Sequence, residues 1–197
     1  MKFPPEITAL QKRFTFFDKN LTDQDFANLV PFIHKKTFKK GEVILSAGDI
    51  CDEFYFIING ILRSYHRMPN NTEKTYVICG ENNIFTEHSS FISRSSSTDF
   101  LEALEDTQVL YIKHDDLMKL FRKYHAWESV GRKVSDINYI VSKDRLRSMM
   151  NDDAITRYRR FLDSYQNILH RIPQNIIASY LGITPQSLSR LKKGMES

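Results

Sequence analysis

The most informative stretch of the chain lies near its carboxyl end, where residues 172–192 have the sequence IPQNIIASYLGITPQSLSRLK. Pro173 suits the first turn of a helix, and the apolar residues after it share one helix face. Gly182 follows at the point where a sharply turning chain needs a positive φ angle. Thr184 and Pro185 then supply an N-cap and a first helical position. The stretch therefore predicts two short helices joined by a tight turn.

The second of these helices has a polar outer face. Gln186, Ser189 and Arg190 point away from the leucines that return the helix to the core. Gln can form two hydrogen bonds with adenine, Arg can do so with guanine, and Ser bonds to phosphates or base edges. The spacing resembles the DNA-binding helix-turn-helix, the alternative being a helical unit whose polar face only meets water. We predict the following DNA-contacting residues: Thr184, Pro185, Gln186, Ser187, Ser189, Arg190, Lys192, Lys193 and Arg171.

Composition and charge agree with a neutral domain followed by a carboxyl-terminal region that binds nucleic acid. The 197 residues are 41% apolar and 12% aromatic, enough for an ordinary core in one medium domain plus a small one. Residues 1–126 carry 16 basic and 17 acidic side chains, whereas residues 127–197 carry 12 and 7. A basic carboxyl-terminal third on a neutral body indicates a polyanion as partner.

The middle of the chain has a sequence pattern typical of a β-domain. A helical amino-terminal stretch, with Thr22 and Asp25 spaced as a capping box, extends to about His34. Short β-rich runs then alternate with Gly or Asn turns, which predicts an antiparallel β-roll of the jelly-roll type. The dipeptide Asn59-Gly60 predicts a hairpin between two of these runs, and the serine-rich residues 89–98 predict a loop. The fold class is therefore α+β, with flanking helices around the roll. The predicted strands contain residues 43–45, 54–58, 61–65, 74–79, 100–104 and 109–112.

A long helix follows, and its apolar residues form a heptad seam. The steps between them are three, four, three and four residues, which is typical of a helix that pairs with another. We predict that residues 127–150 form a dimerisation helix between a β-roll domain (1–126) and a helix-turn-helix domain (151–197). The alternative is that the seam packs on the chain's own β-domain. The seam consists of Trp127, Val130, Val134, Ile137 and Val141.

The two halves together resemble the Crp/Fnr family of bacterial transcription regulators. The β-rich part carries Phe38-x-Lys40-Gly41-Glu42 and later Gly60-x-x-Arg63-x-Tyr65, which look like the start of a cyclic-nucleotide-binding roll. The resemblance covers roughly residues 10–192. It implies a cytoplasmic homodimer that binds a pseudo-palindromic double-stranded DNA operator, with recognition helices about 34 Å apart. RNA polymerase is a further partner that the family implies.

The first departure from the family pattern concerns the effector. Nucleotide binders of this family hold the cyclic phosphate with an Arg and the ribose with a Glu ten residues earlier. Glu87 falls on the Glu position, but Ser97, followed by Thr98, falls on the Arg position, and Arg94 is the nearest basic residue. An uncharged Ser cannot pair with a phosphate as Arg does. We therefore do not expect cyclic AMP to bind in the usual way; an unidentified small effector and an empty scaffold remain open.

The second departure is at the end of the sequence, where four residues follow Lys193. The family continues there into a β-hairpin wing, so we expect a truncated or absent wing. Phosphate contacts are then expected from other basic residues, and the dependence of affinity on salt is expected to be shallower. The candidates are Arg157, Arg159, Arg160, Arg171, Lys192 and Lys193.

Other chemistry finds little support in the sequence. The two cysteines are too few for the iron–sulfur cluster of Fnr-type regulators, and the histidines lack metal-ligand spacing, so we predict neither a metal nor a cofactor. No nucleophile, P-loop or dinucleotide motif indicates an enzyme. No apolar run approaches the length of a membrane span, and no secretory segment is present, which favours the cytoplasm. The alternative function is a cyclic-nucleotide-type ligand-binding module whose carboxyl-terminal helices bind a protein partner.

Overall fold

The computed structural model describes residues 3–196 and contains a β-domain followed by helices. The strands are β1 (His34–Phe38), β2 (Val43–Leu45), β3 (Glu53–Asn59), β4 (Leu62–Arg67), β5 (Glu73–Cys79), β6 (Ile84–Phe85), β7 (Phe100–Ala103) and β8 (Thr107–Lys113). The helices are α1 (Pro5–Phe17), α2 (Asp23–Leu29), α3 (His88–Ser93), α4 (His114–Lys123), α5 (His125–Asn151), α6 (Ala154–Tyr165), α7 (Gln174–Leu181) and α8 (Pro185–Glu196).

The strands form two four-stranded antiparallel sheets. The first sheet has the order β1-β8-β3-β6 and the second has the order β2-β7-β4-β5. Side chains from both sheets, among them Ile57, Leu62 and Leu101, fill the space inside the roll and are fully buried. The predicted α+β fold class with an antiparallel roll is therefore confirmed.

The prediction of a hairpin at Asn59-Gly60 is wrong. β3 belongs to the first sheet and β4 to the second, so this turn carries the chain from one sheet to the other. Gly60 has a φ angle of 105°, and a Cβ atom there would overlap Thr107. The sequence signal for a turn was correct, but a turn of this kind does not determine whether the strands on either side pair with each other.

Two elements of the β-domain differ from the predicted ones. Residues 88–93 of the serine-rich segment form the helix α3 rather than a loop, because the carboxylate of Glu87 caps its first turn. β1 begins at His34, where the amino-terminal helices were expected to end. The capping box of Thr22 and Asp25 is confirmed, with both reciprocal hydrogen bonds present.

The long helix α5 has two dissimilar halves. Trp127, Val130 and Val134 are at most 4% exposed and belong to a core that also contains Leu10 of α1 and Leu110 of β8. For these three residues the alternative holds, because the first half of the seam packs on the chain's own β-domain. Of the predicted seam, only the second half of the helix is left accessible to another chain.

That second half of α5 presents apolar side chains to solvent. Ile137 is 37% exposed and Val141 is 60% exposed. Steps of three and four residues place both on the same helix face as the buried Val130 and Val134. The apolar stripe therefore continues beyond the region that the β-domain covers. None of the helices within residues 3–196 has the length and apolar character needed to cross a bilayer.

The carboxyl-terminal helices pack against the β-domain. Ile61, Ile78 and Leu104 of the roll share one core with Phe161 of α6 and Ile177 of α7. Ser179 of α7 also bonds to the outer strand β5: its Oγ donates to the carbonyl of Glu73 at 2.7 Å and accepts from the amide of Thr75 at 2.9 Å. The hydroxyl thus satisfies two backbone groups of a sheet edge that would otherwise be unpaired.

Candidate nucleic-acid interface and effector cassette

The turn between α7 and α8 has the geometry that the sequence predicted. Gly182 ends α7 in the left-handed conformation at a φ angle of 70°. The amide of Ile183 donates to the carbonyl of Ala178 at 3.0 Å, which closes the turn. Ala178, Leu181 and Leu188 are buried at 0–1% exposure, so the two helices pack closely at this point.

The start of α8 is held by its own cap. The Oγ1 atom of Thr184 accepts from the amide of Ser187 at 3.1 Å, and Pro185 begins the helix. This bond satisfies one of the amides that a helix leaves unpaired at its first turn. Thr184 and Ser187 therefore have a structural role in addition to the predicted contact with DNA.

The outer face of α8 lies in solvent. Buried Leu188 faces the core, and the polar residues around it are exposed, so the surface that a recognition helix would present is available. Lys192 lies at the margin of this face, where its Nζ donates to the side-chain carbonyl of Gln174 at 2.9 Å. The exposed members of the predicted set are Thr184, Pro185, Gln186, Ser189, Arg190 and Lys193.

Arg171, which the sequence predicts to contact phosphate, has partners within the chain. Its two terminal nitrogens each lie 2.7 Å from an oxygen of Glu81, and Nη1 also lies 2.8 Å from Glu105. The side chain is only 26% exposed. The hydrogen bonds with Glu81 raise the pKa of Arg171 although burial opposes this, so the guanidinium remains charged. Arg171 therefore ties the helical domain to the β-roll.

The other basic candidates fall into two groups. Arg157 donates from Nε to the carbonyl of Leu181 at 3.0 Å and from Nη1 to that of Asp152 at 2.6 Å, so it braces the helix-turn-helix from within. Arg160 lies 3.3 Å from the Asp152 carboxylate but remains largely exposed, and Arg159 is exposed as well. Arg159 and Arg160 are accordingly the members of α6 that can reach an external anion.

The residues of the predicted effector cassette bind one another and the backbone. Glu87 accepts from the amides of Ser89 and Ser90 at 3.2 and 2.6 Å. Ser97 is 4% exposed, and its hydroxyl bonds to the backbone of Asp99. A cyclic phosphate would therefore meet no cation at the position of Ser97.

Arg94 does not substitute for the missing cation. It occupies the left-handed conformation at the end of α3, with a φ angle of 55°. Its guanidinium donates to the carbonyl of Cys51 and to the carboxylate of Asp52, both at 2.7 Å. Thr98 is exposed, and its carbonyl lies 3.1 Å from a ring nitrogen of His66. The charge of Arg94 is thus already neutralised by a neighbour in the chain.

Sequence reasoning missed the contacts between the two domains. Ser179, Glu81 and Glu105 join the β-roll to the helices, but each lies far along the chain from its partner. An isolated acidic residue in a turn gives no local sign that it will meet an arginine 66 or 90 positions later. No pattern in the sequence could have identified these contacts.

The cysteines and the metal-binding side chains add no further centre. Burial raises the pKa of Cys79 to about 12, against the opposing influence of Arg13, so its thiol stays protonated at neutral pH. Cys51 is also buried, with Sγ 3.3 Å from Oγ1 of Thr86. Among residues 3–196 no group of three His, Cys, Asp or Glu side chains is placed to hold a metal ion.

Comparison with known proteins identifies the β-domain. Residues 35–124 match the family model described as the cyclic nucleotide-binding domain. A transcriptional regulator of the Crp/Fnr family from Eubacterium rectale superposes with a TM-score of 0.70, at 17% identity over 90% of this chain and 85% of its own. The chain therefore shares the fold of this Crp/Fnr-family structure. The resemblance predicted from the sequence is therefore confirmed.

Two further solved structures show the same architecture. FixK2 from Bradyrhizobium japonicum has a TM-score of 0.67 at 20% identity, with 83% of this chain and 84% of that one covered. The c-di-GMP responsive global regulator CLP of Xanthomonas campestris has a TM-score of 0.69 at 14% identity, with 89% and 92% covered. No curated protein matches the sequence significantly. At these identities the superpositions establish the fold, which includes both the roll and the carboxyl-terminal helices.

Proposed function

We propose that this Crp/Fnr-type chain is a sequence-specific DNA-binding transcription regulator that acts as a homodimer. The observation that carries the proposal is the helix-turn-helix. A closed turn at Gly182 and a capped helix start at Thr184 hold α8 with Gln186, Ser189 and Arg190 exposed together. These are the side chains that bond to base edges in the major groove. The proposal assigns no catalytic step, and it places the protein in the cytoplasm with its DNA.

The proposed dimer uses the second half of α5. Ile137 and Val141 extend the stripe that the β-domain buries further up the helix, and an exposed apolar stripe in register with a buried one favours a partner helix. A twofold pair of recognition helices would contact two half-sites about 34 Å apart, so the expected operator is pseudo-palindromic. RNA polymerase is the further partner we expect at a promoter.

The β-roll is proposed to work without a cyclic nucleotide bound in the usual way. The carboxylate of Glu87 caps α3, the hydroxyl of Ser97 is buried, and the guanidinium of Arg94 is paired with Asp52. Phosphate binding would need one of these bonds to break and a charge to be left without its partner, which costs free energy. We therefore assign no nucleotide cofactor to the roll.

DNA recognition is tested by selection from a random double-stranded DNA pool without nucleotide, followed by competition titrations. We expect a palindromic site to emerge. Arg190→Ala should weaken binding to that site by about 1–3 kcal/mol and relax selectivity at one base pair. Arg132→Ala, which removes an exposed arginine of α5, is the matched control and should leave selectivity intact. Unselective binding that both variants weaken equally would contradict the proposal and favour a protein partner for these helices.

The dimer is tested by sedimentation of two neighbouring variants. Val141→Glu places a charge on the exposed apolar stripe, and Ser142→Glu places the same charge one residue away from it. We expect Val141→Glu to shift the protein to monomer and Ser142→Glu to leave the dimer in place. A monomeric wild type at micromolar concentration, or equal behaviour of the two variants, would rule out this interface.

A further inference from the structure

A cavity lies outside the β-roll. Its volume is about 80 Å³, and it lies between the outer face of the first sheet and residues of the helices α1 to α5. Phe54, Phe56 and Leu110 form its floor on the sheet, and Phe121 and Val134 close it from the helices. None of the cassette residues Glu87, Arg94, Ser97 and Thr98 lines this space. It is therefore a separate cavity rather than an extension of the predicted effector cassette.

The walls of the cavity are almost entirely apolar. Such cavities stay dry, because a water molecule needs two to four polar partners, and they can take up apolar molecules instead. Side-chain polar groups come from four lining residues: His88, Tyr111, Trp127 and Ser135. The indole nitrogen of Trp127 already donates to the carbonyl of Asp25 at 3.0 Å, so it is not available to an occupant.

His88, one of the residues that line the cavity, has an unsatisfied polar atom. Its Nδ1 is buried and has no hydrogen-bond partner; within residues 3–196 this is true of one other buried side-chain atom, Nε of Arg13. Burial lowers the pKa of His88, against the opposing influence of Glu87, so the ring is neutral near pH 7. A buried donor or acceptor without a partner costs free energy that an occupant's polar group would recover.

We propose that this cavity is a binding site for a small neutral molecule, apolar except for one hydroxyl that bonds to Nδ1 of His88. A hydroxyl fits because it both donates and accepts, and so pairs with either tautomer of a neutral histidine. The apolar walls and the nearby carboxylate of Glu87 exclude an anion such as a fatty acid. The volume limits the occupant to about the size of a single aromatic ring.

The site adjoins the buried half of α5. Trp127, Val130 and Val134 line the cavity, so an occupant would contact the helix whose other half we propose as the dimer interface. Any effect on DNA affinity therefore rests on the proposed function, whereas binding itself does not. The test measures binding to the full chain without DNA. A failed operator experiment would therefore not contradict the proposed binding site.

The probes are phenol and toluene, which have the same aromatic ring and carry a hydroxyl and a methyl group, respectively. Calorimetric titration of the wild-type protein should detect phenol binding. In His88→Phe, phenol affinity should fall on the order of tenfold while toluene affinity is retained, because phenylalanine puts an apolar ring in place of the imidazole and cannot form the hydrogen bond. Undetectable phenol binding in the wild type, or equal losses for both probes, would overturn the assignment of His88.

A second pair of variants locates the binding site. Ser135→Leu fills the cavity from α5, and Ser142→Leu makes the same change seven residues further along, at an exposed position. We expect the first to abolish the rise in melting temperature that phenol causes and the second to preserve it. A rise of equal size in both variants would place phenol elsewhere and overturn the proposal.

Discussion

The effector cassette and the recognition helix are both polar, but they use their polar groups differently. In the cassette, Glu87 caps a helix and Arg94 pairs with Asp52, so both charged groups already have hydrogen-bond partners within the chain. On α8, Gln186 and Arg190 face solvent while the apolar side of the helix is buried. Polar residues that already have partners stabilise a fold, whereas exposed ones at fixed spacing can bind a ligand.

Arg171 shows that residue type alone does not separate these two uses. It lies ahead of the helix-turn-helix in a basic part of the sequence, yet two carboxylates of the β-roll hold it. The distinction depends on which partners the tertiary fold brings within reach.

The largest effect is expected where a charge is added to the cassette. Ser97→Arg restores the residue type that cyclic nucleotide binders have, but it does so at a position that is 4% exposed. We expect the free energy of unfolding to fall by about 3 kcal/mol, because a buried charge without a partner is costly. Urea denaturation measures this loss, and Ser96→Arg, at the exposed neighbouring position, should be nearly neutral. A stable Ser97→Arg protein that binds cyclic AMP would show that the cassette is a nucleotide site lacking one residue.

The next effect concerns a residue that faces solvent on α8. Gln186→Ala should cost about 1–3 kcal/mol of discrimination at one base pair of the selected operator, because Gln forms two hydrogen bonds with adenine. The folded protein should be as stable as the wild type, since Gln186 is exposed. Competition titrations against operators with single base changes measure the discrimination. Unchanged base preference would remove Gln186 from the recognition surface.

The sequence predicted the elements of this molecule better than their pairing. Turn chemistry located Gly182 and Thr184 correctly because both are set by a few neighbouring residues. Asn59-Gly60 also forms a turn, but whether the next strand joins the same sheet depends on packing across the whole roll. Local signals therefore sufficed for the helix-turn-helix and not for the crossing between sheets.

At the candidate site, too, the sequence predicted local features but not the contacts that depend on tertiary packing. The heptad seam was visible in the sequence, yet periodicity could not tell whether the covering surface is another chain or the chain's own β-domain. The structure answers this for Trp127, Val130 and Val134, which pack within the chain. The cavity lined by His88 left no sign in the sequence, because it forms between residues from the first sheet and from five helices that are spread along the chain.

A smaller effect is expected at Arg171, the basic residue that the fold has already paired. Arg171→Ala should lower the free energy of unfolding by about 1–2 kcal/mol, because it leaves Glu81 and Glu105 without their shared cation. The dependence of operator affinity on salt should keep its slope, since no phosphate contact is lost. A shallower slope with unchanged stability would show that Arg171 leaves the carboxylates to bind DNA.

The same contact predicts a dependence of stability on pH. Burial raises the pKa of Glu81, but hydrogen bonds from Arg171 and from the amide of Gly60 outweigh it, so the pKa lies below its ordinary value. A carboxylate whose pKa is depressed by folding contributes stability above its unfolded pKa of about 4.3 and loses it as the pH falls further. Arg171→Ala should flatten this part of the pH profile of stability, and an unchanged profile would assign it to other carboxylates.

The smallest effect is expected at Thr184, which lies on the recognition surface and also has a hydrogen-bond partner within the chain. Thr184 is exposed on the recognition surface, but its hydroxyl accepts from the amide of Ser187 and so already has a partner in the chain. Thr184→Ala should cost about 1 kcal/mol of stability, as the loss of an N-cap does, whereas Thr184→Ser should keep both cap and stability. Operator affinity should fall only a few-fold in the alanine variant, because the helix start frays while its base-contacting side chains remain. If Thr184→Ala instead lost as much affinity as Arg190→Ala at unchanged stability, the hydroxyl would contact DNA directly, and a partner within the chain would no longer be a reliable sign that a residue is unavailable to a ligand.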